Sequence, residues 1–467
     1  MKVFISIIAL GLYTQSHAHT LKESMKMIDG DLVNRTELIV KHKRSTEHKS
    51  FSLPHRVYSS QVVFEAPLFK QLGKVTKGLS KVESDNLGSY RLIHFSKFPS
   101  KTEAKKLLQE LYAKSDVEFA FFSPKVRDAN LDQRFVSDQE DQQQRVLPTP
   151  SFVDQQDYLK ETPVGVEAQY AWNLPGGTGK NVKIIDIETG INATHEDLNP
   201  LFYLGELPNG IVEHGTAVAG IMVGKKDEVG VTGISFDSKF GFMSRLQKFP
   251  AREGEGSDYH DNVARVIEHA LTKLEKGDLI VLEMHSYGPR GQFIPVEYWK
   301  PIFDILKVAA KNGVFCVAAG GNGYQNLDHI DYQGAFDPEK RNSECILVGA
   351  ALKNKKKARF SNYGKRIDAF GYGRNVTTAG YGDLYNRGTG RKYTRGFSGT
   401  SSATPIVGGT MALLSSIAQE KGVEITPAQL QKAYHNTGVA QVVDEGQKLQ
   451  RIGNFPNLKE LIDYLKL

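Results

Sequence analysis

The chain has 467 residues, 59 Lys and Arg against 53 Asp and Glu, a formal net charge of +6 and 40% hydrophobic residues. So small a charge, spread over so long a chain, excludes an electrostatic case for nucleic-acid binding. The ordinary apolar content excludes a fibrous or wholly disordered chain and leaves room for one large domain and a smaller one. The basic clusters Lys41–Arg44 and Lys353–Lys357 read as solvated loops.

The N-terminus opens with Met1-Lys2, an apolar run from Val3 to Leu12, and polar residues ending Ser16-His17-Ala18. The run is too short to span a bilayer, and Ser16 and Ala18 are small residues spaced as a leader peptidase requires. Residues 1–18 are therefore expected to be a signal peptide, cut after Ala18, with the protein secreted or periplasmic. No later segment reads as membrane-spanning. Cys316 and Cys345 lie in two short apolar runs and allow either one disulfide or two buried thiols.

Residues 19–130 carry their own pattern. Val62–Phe64, Tyr90–Phe95 and Val117–Phe122 read as strands. Thr102–Ala113 reads as an amphipathic helix with Ala104, Leu107, Leu108 and Leu111 on one face. This predicts a small α+β unit. Residues 131–150 follow, rich in Asp, Gln and Arg and closed by Pro148 and Pro150, as a linker.

From Tyr158 onward short apolar strands alternate with helices. Val182–Ile187, Lys239–Met243, Leu279–Met284, Val314–Ala319 and Ile346–Ala350 read as strands. Gly215–Val223, Ser257–Leu274 and Glu297–Asn312 read as helices. The alternation predicts an α/β fold, a doubly wound parallel sheet in three layers over 151–467. In such folds chemistry gathers at the carboxyl ends of strands.

Three stretches carry chemistry. Gly399-Thr400-Ser401-Ser402-Ala403-Thr404-Pro405 precedes a buried helix, with Pro405 expected in its first turn, so Ser401 stands near free backbone N–H groups. His214 heads a small-residue helix in His214-Gly215-Thr216-Ala217-Val218-Ala219-Gly220. Asn322 follows a buried strand in Ala318-Ala319-Gly320-Gly321-Asn322-Gly323. Each alone has a plainer reading, as a helix cap, a structural histidine and a turn asparagine.

Together, and with Phe360-Ser361-Asn362-Tyr363-Gly364, these motifs resemble the subtilisin-like serine peptidases over roughly two thirds of the chain. The resemblance implies Ser401 as nucleophile, His214 as general base and then acid, and Asn322 as oxyanion donor beside the Ser401 N–H. It also implies a propeptide in residues 19–130 that inhibits the precursor, with the maturation cut in the linker. The implied activity is that of a secreted endopeptidase, made inactive, working through an acyl-enzyme.

The acid member departs from the family's pattern, which expects Asp-Ser/Thr-Gly at the end of a strand. The chain reads Ile185-Asp186-Ile187-Glu188-Thr189-Gly190. Ungapped alignment favours Glu188; keeping the residue type favours Asp186. Two residues apart in a strand, both point to one face and either could orient His214.

Leu282–Gly288 resembles the family's substrate-edging strand, where an extended peptide pairs by main-chain hydrogen bonds. Ser286, Tyr287 and Gly288 are expected on one wall of the pocket before the scissile bond, with Ala319, Gly320 and Gly321 opposite. No cofactor is required; calcium enters only as a structural ion, with Asp197 and Asp227 at positions where relatives place ligands. The expected partners are polypeptide substrates and the chain's own propeptide, with no nucleic acid and no membrane once the signal is removed. Two competing readings are a peptide-binding pseudopeptidase on the same fold and an esterase, the latter lacking its usual Gly-x-Ser-x-Gly elbow.

Overall fold

Apolar runs too short for helices bury both faces only by pairing side by side under helices, and residues 151–467 do this. The structure, a computed structural model, describes residues 20–43, 53, 62–75, 79–95, 99–129, 148–208, 210–249 and 258–467. The leader at 1–18, residue 130 and residues 131–147 of the linker lie outside the described residues.

The N-terminal unit contains β1 (Val33–His42), β2 (Val62–Pro67), β3 (Tyr90–Phe95) and β4 (Val117–Pro124), antiparallel in the order β2-β3-β1-β4. Helices Leu21–Asp29 and Lys101–Tyr112 pack against β4. Each is opened by a capping box, Thr20 with Glu23 and Ser100 with Glu103, which satisfies N–H groups the helix cannot. Ala104, Leu107, Leu108 and Leu111 are buried, as their spacing predicts. A short strand, β5 (Val126–Asp128), then leaves this sheet.

The large unit contributes β6 (Lys183–Glu188), β7 (Tyr203–Leu204), β8 (Lys239–Ser244), β9 (Leu246–Phe249), β10 (Asp258–Asp261) and β11 (Leu279–Leu282). It continues with β12 (Met284–Tyr287), β13 (Phe293–Pro295), β14 (Phe315–Ala319), β15 (Ile346–Ala351) and β16 (Ala369–Tyr372). The last strands are β17 (Val376–Ala379), β18 (Tyr385–Asn386), β19 (Lys392–Phe397), β20 (Val439–Ala440) and β21 (Asn454–Phe455). Among the described residues, nine of these form one sheet in the order β20-β21-β16-β15-β14-β11-β6-β8-β7, parallel except at β20. Helix Thr400–Glu420 packs on β11, β14, β15 and β16 and against helix Glu213–Val223. Helices Val263–Leu271 and Lys300–Lys311 pack on each other and on β6, β8 and β14. This is the predicted three-layer α/β fold.

Several local expectations shift. Ser257–Leu274 is not one helix: β10 occupies Asp258–Asp261, and the helix begins at Val263 behind an Asn262 cap that accepts from the Arg265 N–H. Leu279–Met284 is not one strand. It breaks at Glu283 into β11 of the large sheet and β12, which pairs with β13 and β5. Helix Thr400–Glu420 starts five residues before Pro405, which therefore sits in the second turn. There the ring removes the N–H that would bond the Ser401 carbonyl.

Lys41 and Lys355 are not solvated; their exposures are 2% and 6%. Lys41 reaches Asn86 and lies over the Tyr90 ring, while Lys355 lies 3.4 Å from the Phe455 ring centre and donates to Tyr372 Oη at 2.6 Å. Their apolar stems pack inside and aromatic faces receive the ammonium groups, which a count of charges cannot anticipate. Cys316 and Cys345 are both buried free thiols. Beneath the sheet the fully buried Arg366 pairs with Glu297 Oε1 at 2.8 Å and Asp368 Oδ2 at 2.6 Å.

The two units meet along the two helices that start at Val263 and Lys300. Glu268 accepts the Lys70 and Gln71 N–H groups at 2.9 and 2.6 Å, and Arg265 donates to the Leu68 and Pro67 carbonyls. Tyr90 Oη donates to Asp304 Oδ2 at 2.8 Å, and Phe121 packs on Trp299. Polar groups on the helices answer loose backbone groups of the smaller unit, so the contact is specific as well as apolar.

Candidate active site

Strand β6 runs between β8 and β11, and alternation puts Ile185 and Ile187 on one face and Asp186 and Glu188 on the other. Both carboxylates are fully buried. Glu188, not Asp186, meets the histidine: its Oε1 lies 2.7 Å from His214 Nδ1, and its Oε2 accepts the Thr189 N–H at 2.9 Å. His214 is the second residue of its helix, 2% exposed, with Phe397 edge-on to its ring at 5.4 Å. Burial opposes a charge on the imidazole, yet the Glu188 carboxylate, with Asp128 and Asp186 behind it, raises its pKa to about 9.

Asp186 turns instead toward Glu283, which is also fully buried. Oxygens of Asp186, Glu188 and Glu283 all lie within 4.8 Å of one another. Burial first, and the neighbouring carboxylates next, push both Asp186 and Glu283 well above the usual carboxylate range.

The break between β11 and β12 has a consequence at the serine. It turns the Glu283 carbonyl into the cleft, where it accepts the Ala129 N–H at 2.7 Å and the Ser401 hydroxyl at 3.1 Å. Ser401 Oγ therefore points to Glu283 and not to His214, whose Nε2 has no hydrogen-bond partner among the described residues.

The cleft is filled by the chain itself. β5 pairs antiparallel with β12, setting Asp128 opposite Met284, Arg127 opposite His285 and Val126 opposite Ser286. The next carbonyl, that of Ala129, accepts from Asn322 Nδ2 at 2.8 Å and from the Ser401 N–H at 3.0 Å. Asn322 is oriented for this by Thr400, whose N–H and hydroxyl both donate to its Oδ1, at 3.0 and 2.9 Å. Sequence reading passes over Ala129, which belongs to no recognisable motif, and gives no role to Thr400 and Glu283 although both lie within motifs it singles out. The peptide bond at the serine is Ala129–Asn130, just ahead of the linker where a cut is expected.

The remaining candidates divide. Ala319 ends β14, and Gly320 and Gly321 carry the chain to Asn322. A side chain on Gly321, at φ 91°, would come within 2.7 Å of Asn362 Nδ2. Ser286 lies opposite Val126, three residues before Ala129, and its hydroxyl accepts from Trp299 Nε1. Tyr287 N–H donates to the Lys125 carbonyl, further still from the bond. Ser286, Tyr287 and Gly288 thus edge the upstream part of the groove instead of the pocket next to the serine. The shift follows from the chain turning at Glu283.

Asp197 and Asp227, the residues expected near a structural calcium ion, each accept a backbone N–H, and Asp197 Oδ1 is buried with no hydrogen-bond partner among the described residues. The Asp197 carboxylate accepts the Val231 N–H at 2.7 Å, Asp227 accepts its own loop's Val229 N–H, and the Lys225 ammonium takes the Glu196 carbonyl at 2.6 Å.

A peptide carbonyl gripped by two N–H donors, beside a serine and a carboxylate-backed histidine, defines the class: serine-type peptidases, here on a three-layer α/β frame. The chain belongs to the Subtilase family (Peptidase_S8), whose profile matches residues 179–454, more than half its length. It is a subtilisin-like serine endopeptidase, and its substrates are polypeptides. It is 28% identical over 283 residues to an intracellular serine protease of Paenibacillus polymyxa, covering 57% of this chain and 76% of that one. It is 25% identical over 331 residues to subtilisin amylosacchariticus of Bacillus subtilis subsp. amylosacchariticus, covering 68% and 77%. Fervidolysin from Fervidobacterium pennivorans shares the fold, with a TM-score of 0.56 at 19% identity over 92% of this chain and 61% of that one. Among the described residues no helix is long and apolar enough to cross a membrane.

Proposed function

We propose that the chain is an exported peptidase precursor that cuts its own Ala129–Asn130 bond and is inhibited by the segment ahead of that bond. The observation that carries this is the Ala129 carbonyl, held by Asn322 Nδ2 and the Ser401 N–H while β5 occupies the substrate edge. Ser401 Oγ attacks the carbonyl carbon, and His214 takes its proton. Asn322 and the Ser401 N–H stabilise the oxyanion, and Glu188 stabilises the imidazolium. His214 then protonates the Asn130 amine as it leaves, and water releases the acyl group by the same route in reverse. Residues 19–129 would remain bound as an inhibitor through the contacts at Glu268, Arg265 and Asp304. The leader pattern at residues 1–18 supports export.

The test compares the full chain with Ser401→Ala, each treated with a serine-directed phosphonate probe. The wild type is expected to yield a probe-labelled fragment whose N-terminal residue is Asn130. Ser401→Ala is expected to stay long and unlabelled. A labelled wild type that never shortens would sink self-processing while leaving the peptidase intact. Export is tested separately, by finding Ala18 removed and the protein outside the cytoplasm of the cell that makes it.

A further inference from the structure

We propose that Thr189 and Arg245 form a subsite selective for aspartate at the substrate position immediately before the residue whose carbonyl is attacked. The proposal rests on the reading of Ser401 and the Ala129 carbonyl just given. Asp128 holds that position here. Thr189 Oγ1 lies 2.7 and 2.8 Å from the two Asp128 carboxylate oxygens, and Arg245 Nε lies 3.3 Å from Oδ1.

The two groups are linked and fixed. Arg245 Nε also reaches Thr189 Oγ1 at 3.3 Å, so the hydroxyl accepts from the guanidinium and spends its single proton on the carboxylate. The guanidinium's other arm meets Asp261 of β10 and the Val126 carbonyl, and the Arg245 N–H donates to the Glu188 carbonyl at 2.8 Å. Both side chains are nearly buried, Arg245 at 7% and Thr189 at 8% exposure. Desolvation makes a charge-assisted contact stronger and an unmatched one costlier.

The charges facing Asp128 are mixed, and their balance favours an acid. Glu188 repels it, Asp261 draws off part of the guanidinium, and Arg245 and the imidazolium of His214 attract it; the His285 ring close by is held neutral by burial. A neutral side chain in this place would leave Arg245 Nε with the Thr189 oxygen alone. The preferred substrate class is therefore a peptide with aspartate one residue ahead of the attacked carbonyl, as in Val126-Arg127-Asp128-Ala129.

The test uses the full chain, expressed and left to process itself. Peptides Val-Arg-Xaa-Ala carrying an amide-linked chromophore, with Xaa as Asp or Asn, are compared by kcat/KM, with casein as a general substrate. Asp is expected to exceed Asn by about tenfold, the factor that one charge-assisted hydrogen bond supplies. Arg245→Gln is expected to bring the ratio near unity, and Arg245→Lys to restore part of it. Hydrolysis of both peptides at equal rates by the wild type would overturn the subsite and leave the peptidase standing. If neither peptide nor casein is cut, the peptidase reading has failed, and the subsite is decided by hydrogen exchange in the full-length Ser401→Ala chain. There, faster exchange of the Ala129 N–H on Asp128→Asn supports the subsite, and unchanged exchange overturns it.

Discussion

Glu188 reaches His214 Nδ1 at 2.7 Å from a strand position where an aspartate is the family's expected residue. The longer carboxylate is steadied by the Thr189 N–H and flanked by Asp186 and Glu283, both of which burial pushes well above the usual carboxylate range. Glu188→Gln keeps the shape and removes the charge that stabilises the imidazolium, so kcat is expected to fall on the order of 10⁴-fold. Asp186→Asn keeps a hydrogen bond to Glu283 and is expected to cost about tenfold or less. Peptide hydrolysis by the two variants, side by side, decides between them. The reverse order would make Asp186 the acid partner.

Asn322 is one of two donors to the Ala129 carbonyl, and Thr400 sets its amide. Asn322→Ala is expected to slow turnover on the order of 10²–10³-fold, a magnitude known for an oxyanion amide of subtilisin itself. Thr400→Val removes one of the two bonds to Asn322 Oδ1 and is expected to cost less, mostly in kcat. A purely structural threonine would leave the ratio of kcat to KM unmoved.

In the precursor the His214 pKa stands near 9, because the Glu188, Asp128 and Asp186 carboxylates outweigh burial. A general base must be neutral, so self-cleavage is expected to speed up as pH rises toward that value. Asp128→Asn is expected to move the midpoint down. The same shift acts on stability. A folded pKa above the ordinary 6.5 contributes stability that is full below pH 6.5 and is lost as pH rises through about 9. Thermal unfolding of full-length Ser401→Ala, with and without His214→Gln, should show a difference at acid pH that disappears in alkali.

Arg366 is buried with Glu297 at 2.8 Å and Asp368 at 2.6 Å, and its guanidinium also donates to the Cys345 carbonyl. Arg366→Met takes the guanidinium from two buried carboxylates, of which Asp368 keeps His435 at 2.6 Å, a loss of about 3–5 kcal/mol. A lowered unfolding temperature measures it. Replacing Glu297 with Gln as well should recover part of the loss.

The Asp197 carboxylate accepts the Val231 N–H, and Asp227 accepts the Val229 N–H of its own loop. A chelator is expected to leave the unfolding temperature unchanged. A drop reversed by added calcium would show that the loop rearranges to bind it.

The sequence by itself determined the layered α/β fold, because strand and helix periodicities are local. The resemblance of their motifs, taken together, to the subtilisin-like peptidases singled out Ser401, His214 and Asn322, each of which alone reads as a cap, a structural histidine or a turn asparagine. It could not choose between Asp186 and Glu188, which share one strand face. That choice depends on which carboxylate the helix from Glu213 meets and on Glu283 arriving from another strand. Tertiary structure alone decided the turn at Glu283 that directs β12 to β5, the placement of Ala129 at the serine and of Asp128 against Arg245, and the burial of Lys41 and Lys355. Each is a contact between residues far apart in the chain, where the partner, and not the local pattern, supplies the energy.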